Sequence, residues 1–320
     1  MSKLVEVIAL VREIPEEYLE EALAAIKGIK EKAEQERESE AATCPHCQSW
    51  RVVRNGRKSG KQAFLCRSCN KSFVQTSKSA IENSHSGATV WKQVISDTVR
   101  GVPIDETADS LGLHHETVFN MRHKILYCIE QSLTVDPVKL AGVCEADETY
   151  VLESVKGKKV PEDYHRKPRR HGAVASKRGI SNEYICVCAS VTAAGENVAV
   201  AANRASPSGQ EILGVFGDRV DQGTVMLCDG KTSYNALEDR CTVATTKRVN
   251  RVNGFHSFIK ARLDAMRGGS TAYLNRYNAL FSQLYGAEDS VVDEIFEMMT
   301  AQKGFFNTIA ATQSTNLLCL

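Results

Sequence analysis

The 320-residue sequence contains no run of about 18 apolar residues, and its amino terminus lacks a basic stretch followed by an apolar one. We therefore expect no membrane span, no export signal and no membrane partner. An excess of one charge is also missing, because 40 Lys and Arg face 39 Asp and Glu, for a net charge of +1. Affinity for nucleic acid must therefore come from local basic clusters rather than from net charge.

The 11 cysteines are an odd number, and four of them form two C-x-x-C pairs, which suits a reducing compartment and metal binding better than a disulfide framework. Cys44 and Cys47 form the first pair, and Cys66 and Cys69 form the second. Two such knuckles supply four thiolates to a tetrahedral zinc ion, so we predict a zinc ribbon over residues 41–76. Ribbons contact DNA or dock proteins; the basic residues favour DNA, and the candidate contacts are Arg51, Arg54, Arg57 and Lys58.

Residues 1–40 read as a charged N-terminal helix, with Leu19, Leu23 and Ile26 at helical spacing. Such a helix is either a solvated arm or a contact with a partner.

Apolar residues at helical spacing predict three helices over residues 88–134, with a glycine-containing turn between the second and third. This is the pattern of a helix-turn-helix, in which the last helix enters the major groove by its N-terminal residues. Any three-helix bundle shares the pattern, but the neighbouring basic ribbon favours DNA binding. The candidate base contacts are His114, His115, Thr117 and Asn120, and the candidate phosphate contacts are Arg122, His123 and Lys124.

The stretch Val143–Val151 carries three carboxylates, Glu145, Asp147 and Glu148, between apolar ends. Burying carboxylates without partners is costly, so we expect them to face a cleft where cations neutralise them. Ordinary surface acids at a strand end are the alternative. We predict that Asp147 is a metal ligand on the first strand of a nuclease-like sheet.

Two later segments carry further polar groups. The apolar run Val225–Cys228 ends in Asp229 and a glycine, which is how a buried strand delivers a carboxylate to a cleft. The helix predicted over Arg248–Leu263 places Asn253, His256 and Lys260 on one face, although an amphipathic helix with a solvated side would also explain them. A basic excursion between the first two strands of the sheet suits a phosphate backbone, although such loops are usually solvated; it includes Arg169 and Arg170.

As a set, the C-x-x-C ribbon, the helix-turn-helix, A-D-E-T-Y, C-D-G, V-N-G-F-H-S-F-I-K and A-Y-L-N-R-Y resemble bacterial insertion-sequence transposases of the family numbered fifteen ninety-five. The resemblance covers roughly residues 43–281. It implies a multidomain α+β chain with an α/β ribonuclease-H-like catalytic domain over residues 140–285, built on a mixed sheet. Residues 286–320 are left as a C-terminal tail.

The resemblance implies site residues as well. Asp147 and Asp229 are the first two acids, and Asn253 is the third position, followed seven residues later by Lys260. His256 stands where some relatives carry Glu, so it competes with Asn253 as third ligand. Glu148 alternates away from Asp147 on a strand and is expected to support the site. In this interpretation Asp147 bridges two Mg²⁺ or Mn²⁺ ions, Asp229 holds one, Asn253 the other, and Lys260 contacts a phosphate.

The implied function is that of a transposase in the bacterial cytoplasm, nucleoid-associated when bound. It would act as a homo-oligomer on terminal inverted repeats and target DNA, with structural Zn²⁺ in the ribbon and catalytic Mg²⁺ or Mn²⁺. A non-catalytic regulator with the same ribbon and helix-turn-helix, a docking adaptor that uses the ribbon alone, and a folded but inactive copy are the alternatives.

Overall fold

The computed structural model describes residues 27, 43–157, 159–160, 162, 164, 175–267, 269–287 and 291–301. The predicted N-terminal helix over residues 1–40 therefore lies outside the described residues, except for Lys27, and so do Arg169 and Arg170. The chain divides into two compact units, Met1–Lys78 and Ser79–Leu320, and each is described by itself. No helix in the described part of the chain has the length and apolarity needed to cross a membrane.

The first unit holds a three-stranded antiparallel sheet of strands β1 (Val52–Lys58), β2 (Lys61–Cys66) and β3 (Ser72–Val74), in that order. A two-residue turn joins β1 to β2, and both of its residues, Ser59 and Gly60, have positive φ, 51° and 79°. Two successive positive φ values are typical of the tight turn whose twist matches a hairpin.

The hydrophobic core of this unit contains few buried side chains. Phe64 and Phe73 stack with ring centroids 5.6 Å apart, beside the buried Cys44 and Cys66. A core of this size rarely holds a domain together alone, so a bound metal ion would add substantially to the stability of the unit.

The second unit begins with the three helices expected from the sequence, α1 (Ala88–Arg100), α2 (Ile104–Leu111) and α3 (His115–Val135). Gly112 ends α2 in the left-handed conformation, with φ of 62°, and so makes the short turn to α3. The helices share one buried cluster with the sheet that follows, since Trp91 and Ile125 belong to the same cluster as Val187 and Ala201 of the sheet.

The sheet has five strands in the order β6-β5-β4-β7-β8. Strand β5 is antiparallel to β4 and β6, whereas β7 and β8 run parallel to β4, so the sheet is mixed, as predicted. The strands are β4 (Val143–Leu152), β5 (Tyr184–Thr192), β6 (Asn197–Arg204), β7 (Val225–Cys228) and β8 (Thr242–Thr245).

Helices cover both faces of this sheet. Alternate residues of β5 enter two separate cores, Val187 on one face and Cys188 on the other, so the strand is mostly apolar, with Ser190 and Thr192 as its buried polar residues. The first face is covered by α5 (Asn250–Ala265) and α6 (Leu274–Leu284); the second by α4 (Gly209–Phe216) and the 3-10 turn Thr232–Leu237.

A further helix, α7 (Val291–Thr300), lies in the predicted C-terminal tail and packs against α1. Its buried side chains are Val291, Ile295 and Met299. The predicted tail therefore contains a structural element of the second unit.

Candidate active site and nucleic-acid interface

The two predicted catalytic aspartates lie on neighbouring parallel strands. Val143 of β4 pairs with Val225 of β7, and Glu145 pairs with Leu227. Continued by two residues, this register brings Asp147 beside Asp229, and adjacent strands are about 4.8 Å apart. Asp147 is half-buried, whereas Asp229 is exposed just beyond the end of β7. Two carboxylates far apart in the sequence are thus brought close together at the carboxyl end of β7.

Electrostatics at Asp147 disfavour a bare carboxylate. Burial raises the pKa of Asp147 above its usual value, and the charges of Glu148 and Asp229 raise it further. A hydrogen bond from the Glu148 backbone and the charge of Lys231 only partly offset this rise. Crowded carboxylates of this kind are stabilised when a cation lies between them.

Helix α5 packs on β4 and β5 and carries the remaining predicted catalytic residues. Asn253 and Lys260 are exposed, whereas His256 is buried. The pKa of His256 is lowered to about 4, mainly by burial and also by the charge of Lys260, although a hydrogen bond to the Asp147 backbone partly compensates. His256 is therefore a neutral imidazole in contact with the strand of Asp147.

The four predicted zinc ligands of the first unit come together. The Sγ atoms of Cys44 and Cys69 are 3.7 Å apart, those of Cys47 and Cys66 are 3.6 Å apart, and all four lie within 4.8 Å of one another. Tetrahedral zinc with bonds of about 2.3 Å places its sulfur ligands about 3.8 Å apart, so the cluster fits Zn²⁺. Within the described residues no second group of three His, Cys, Asp or Glu side chains is this close.

The two cysteine knuckles have the same backbone conformation. The Gln48 amide donates to the Cys44 carbonyl at 2.8 Å, and the Asn70 amide donates to the Cys66 carbonyl at 2.9 Å. Gln48 and Asn70 each follow the second cysteine of a pair and have positive φ, 59° and 54°. This repeated turn aims both thiols of each pair at the same point.

Two family models match the sequence in these regions. Residues 39–70 match the InsA N-terminal domain, a zinc ribbon, and residues 139–282 match the ISXO2-like transposase domain. The second unit therefore contains an ISXO2-like transposase domain. An uncharacterized protein in transposable element ISH50 of Halobacterium salinarum is 24% identical over 200 residues. That alignment covers 61% of this chain and 64% of the relative.

Distant similarity extends to solved structures of Mos1. The Mos1 transposase paired-end complex with left transposon end is 9% identical, at a TM-score of 0.25, over 64% of this chain and 75% of that chain. The Mos1 Strand Transfer Complex is 11% identical, at a TM-score of 0.27, over 63% and 73%. These values are too low to define a fold or an activity.

Glu148 of the transposase domain lies on the face of β4 opposite Asp147, as strand alternation predicts. Its buried carboxylate forms an ion pair with Lys231, whose Nζ also donates to the Tyr150 hydroxyl at 3.3 Å. Burial lowers the pKa of Lys231, but the hydrogen bond to Glu148 and its charge outweigh burial and hold the pKa above its usual value. Glu148 is thus already neutralised by a side chain of the protein.

The sequence predicted that Glu145, like Asp147 and Glu148, faces a cleft, and gave it no catalytic role; in the structure its side chain is buried. Its carboxylate accepts hydrogen bonds from the Arg251 amide at 2.7 Å and from the Val252 amide at 3.4 Å. The Arg251 guanidinium donates to the same carboxylate at 3.2 Å. The alternation of side chains along a strand could have indicated that Glu145 lies near the site, because it places Glu145 and Asp147 on the same face of β4.

The predicted base-contacting residues lie at the exposed start of α3. His114, His115 and Thr117 are exposed, and Asn120 is half-buried. The His114 ring caps the helix by accepting from the Glu116 amide at 3.3 Å. This end of α3 is therefore accessible to a ligand.

The predicted phosphate contact by Arg122 is wrong. Arg122 is only 2% exposed, and its guanidinium donates to the Val102 carbonyl at 2.7 Å. The same correction applies to His123, which is buried between Phe119 and Tyr273 with ring centroids 4.2 and 4.1 Å away. Both side chains lie on the packed side of α3, which leaves Lys124, half-buried, as the one predicted phosphate contact with partial exposure.

The ribbon surface is strongly cationic. Residues 43–78 contain eight Lys and Arg and no Asp or Glu. The predicted contacts Arg51, Arg54, Arg57 and Lys58 are all exposed, and next to them Trp50 exposes 79% of its surface. A positive surface with an exposed indole suits a nucleic acid, because phosphates bind the cations and bases stack on aromatic rings.

Proposed function

We propose that this protein is an insertion-sequence transposase that binds the ends of its element and cleaves and joins DNA with divalent cations. The observation that carries the proposal is the parallel register of β4 and β7, which brings Asp147 beside Asp229. A regulator that only binds DNA has no need for two carboxylates brought together on adjacent strands. In this proposal the mixed sheet is the ribonuclease-H-like sheet of a phosphodiester-transferring enzyme.

Asp147, Asp229 and Asn253 would hold the cations, since carboxylate and amide oxygens are the hard donors that Mg²⁺ and Mn²⁺ prefer. When bound, two such ions stabilise the attacking and leaving oxygens of a phosphodiester. We favour Asn253 over His256 as third ligand, because Asn253 is exposed and His256 is buried against the Asp147 backbone. Lys260, exposed on the same helix, is assigned to a DNA phosphate as a point charge.

The remaining parts of the proposal concern DNA and assembly. The acid-free ribbon and the exposed start of α3 support contacts with terminal inverted repeats, and the latter would make α2 and α3 a helix-turn-helix. Target DNA binding, a homo-oligomer and a place in the bacterial cytoplasm follow from the family resemblance. Zn²⁺ is assigned a structural role because its four cysteine ligands leave no position open.

The test is Mg²⁺-dependent nicking and joining of duplexes that carry the inverted repeats flanking the gene. We expect Asp147→Asn and Asp229→Asn each to lower the rate at least about 100-fold without weakening DNA binding, because each loses a charged metal ligand. Asp239→Asn is the matched control, since Asp239 is exposed in the same unit. This variant should nick and join DNA at the wild-type rate. Full activity in both site variants would disprove the proposal, and DNA binding without cleavage by the wild type would favour the regulator.

A further inference from the structure

The three carboxylates of β4 differ in what they contact. Glu145 and Glu148 are buried and bonded to donors of the protein, whereas Asp147 between them has no ion pair among the described residues. Each bonded carboxylate reaches a different segment of the candidate site. The contacts therefore connect β4 to the two segments that bring Asn253 and Asp229.

Glu145 fixes the start of α5. The first amides of a helix lack partners within the helix, and the N-cap residue here, Val249, has no side chain that can accept a hydrogen bond. Glu145 supplies the acceptor from β4, at 2.7 Å from the Arg251 amide and 3.4 Å from the Val252 amide. Its charge also suits the positive end of the helix dipole. Asn253 is the next residue of the chain, so its distance from Asp147 is set by this contact.

Glu148 fixes the loop after β7. Lys231 crosses from that loop to pair with Glu148, and its own amide donates to the Asp229 carboxylate at 3.3 Å. Gly230 between them has φ of 90°, a conformation that side chains rarely adopt. The loop that presents Asp229 is therefore tied to the residue that follows Asp147.

We propose that Glu145 and Glu148 are positioning residues that hold Asn253 and Asp229 at a fixed separation from Asp147, so that the cation site exists before DNA arrives. The inference rests on the proposed function, because it assumes that these three side chains bind cations. Both oxygens of Glu145 accept hydrogen bonds from Arg251 and Val252, and Lys231 pairs with one oxygen of Glu148, so we assign neither glutamate to the cations. The arrangement leaves Asp147 as the cation-binding carboxylate of the strand.

The test measures Mn²⁺ affinity of the full-length protein by calorimetry, together with thermal stability and the Mg²⁺ midpoint for cleavage. We expect Glu145→Ala to weaken Mn²⁺ binding about 10-fold or more, the usual effect of losing a group that orients metal ligands. Glu145→Gln should lose less, because its amide oxygen still accepts one of the two amides. The Mg²⁺ concentration that gives half-maximal cleavage should rise more in Glu145→Ala than in Glu145→Gln, and the DNA affinity of both variants should stay unchanged.

The matched control is Glu153→Gln. Glu153 is also buried, directly follows β4 and pairs with Arg204 at 2.5 Å, but it lies at the end of the strand away from the site. This variant should melt at a lower temperature and keep the wild-type Mn²⁺ affinity. If it lost as much Mn²⁺ affinity as Glu145→Ala, general destabilisation would explain both and the inference would be overturned.

The second contact is tested by a double-mutant cycle. Lys231→Met leaves the Glu148 carboxylate buried without its cation and should weaken Mn²⁺ binding, whereas Lys231→Met combined with Glu148→Gln should recover part of the loss. Wild-type Mn²⁺ affinity in Glu145→Ala would overturn the inference even if the Asp147 and Asp229 variants are inactive. Full activity in those two variants would instead overturn the proposed function.

Discussion

At the scale of single residues, two buried histidines make the stability of the second unit depend on pH. Burial lowers the pKa of His123 to about 3, helped by the charges of Arg276 and Arg122, and lowers that of His256 to about 4. In the unfolded chain both side chains titrate near 6.5. Below that pH the two histidines bind protons in the unfolded chain but stay neutral in the folded chain, which favours unfolding. The stabilisation from each histidine is thus fully present above pH 6.5 and declines towards pH 4.

We predict that His123→Phe flattens this decline. The ring lies among Phe119 and Tyr273, so an apolar aromatic side chain is tolerated there. Between pH 6.5 and 4 the free energy of unfolding should fall less steeply than in the wild type, by up to about 1.4 kcal/mol per pH unit. Urea unfolding followed by circular dichroism at several pH values measures the slope. His85→Gln, which removes an exposed imidazole from the same unit, should keep the wild-type slope, and an unchanged slope in His123→Phe would contradict the prediction.

Strand and helix periodicity predicted more about single residues than charge did. Alternation along β4 correctly separated Asp147 from Glu148. On α3, the spacing of Val118, Met121 and Ile125 already placed Arg122 on the packed side, yet its charge suggested a phosphate contact. A long side chain can be buried when its guanidinium finds a carbonyl, here that of Val102. That carbonyl comes from another segment, so no local pattern reveals it.

At the scale of elements, helix α7 is a structural part of the second unit. Ile295 is fully buried, and Lys92 of α1 forms an ion pair with Asp293 at 2.8 Å. We predict that Ile295→Ala lowers the free energy of unfolding by about 2–5 kcal/mol, the usual cost of truncating a buried aliphatic side chain. The matched change on the exposed side, Glu297→Ala, should stay within about 0.5 kcal/mol of the wild type. Equal urea midpoints for the two variants would show that α7 does not stabilise the unit.

Most elements could be predicted from sequence, but their pairing could not. The spacing of Val291, Ile295 and Met299 carried the signal for α7, but a short isolated period does not say which surface covers it. The strand before Asp229 could be predicted because its apolar run stops at a carboxylate followed by a glycine. That β7 pairs with β4 in a register bringing Asp229 to Asp147 is a tertiary property, because about 80 residues separate the strands.

At the scale of the whole molecule, the net charge of +1 conceals an uneven distribution. The eight Lys and Arg of residues 43–78 have no acidic neighbour in sequence, so the rest of the chain carries an excess of acidic residues. Binding to a phosphate backbone depends on local cations and releases counterions, which makes the affinity fall with salt. The ribbon is therefore expected to supply the sequence-independent part of DNA affinity.

We predict that the triple variant Arg51→Gln, Arg54→Gln and Arg57→Gln binds DNA of any sequence more weakly and with a shallower salt dependence. Each phosphate contact contributes about 0.9 to the slope of log affinity against log salt, so the slope should fall by up to about 3. Fluorescence anisotropy between about 50 and 200 mM salt measures it, with bound zinc assayed to show that the ribbon is intact. Replacing the same three residues by Lys keeps the charge and should keep the slope. Because an exposed cation that contacts no phosphate releases no counterion, an unchanged slope in the Gln variant would place the phosphate contacts on residues other than these three.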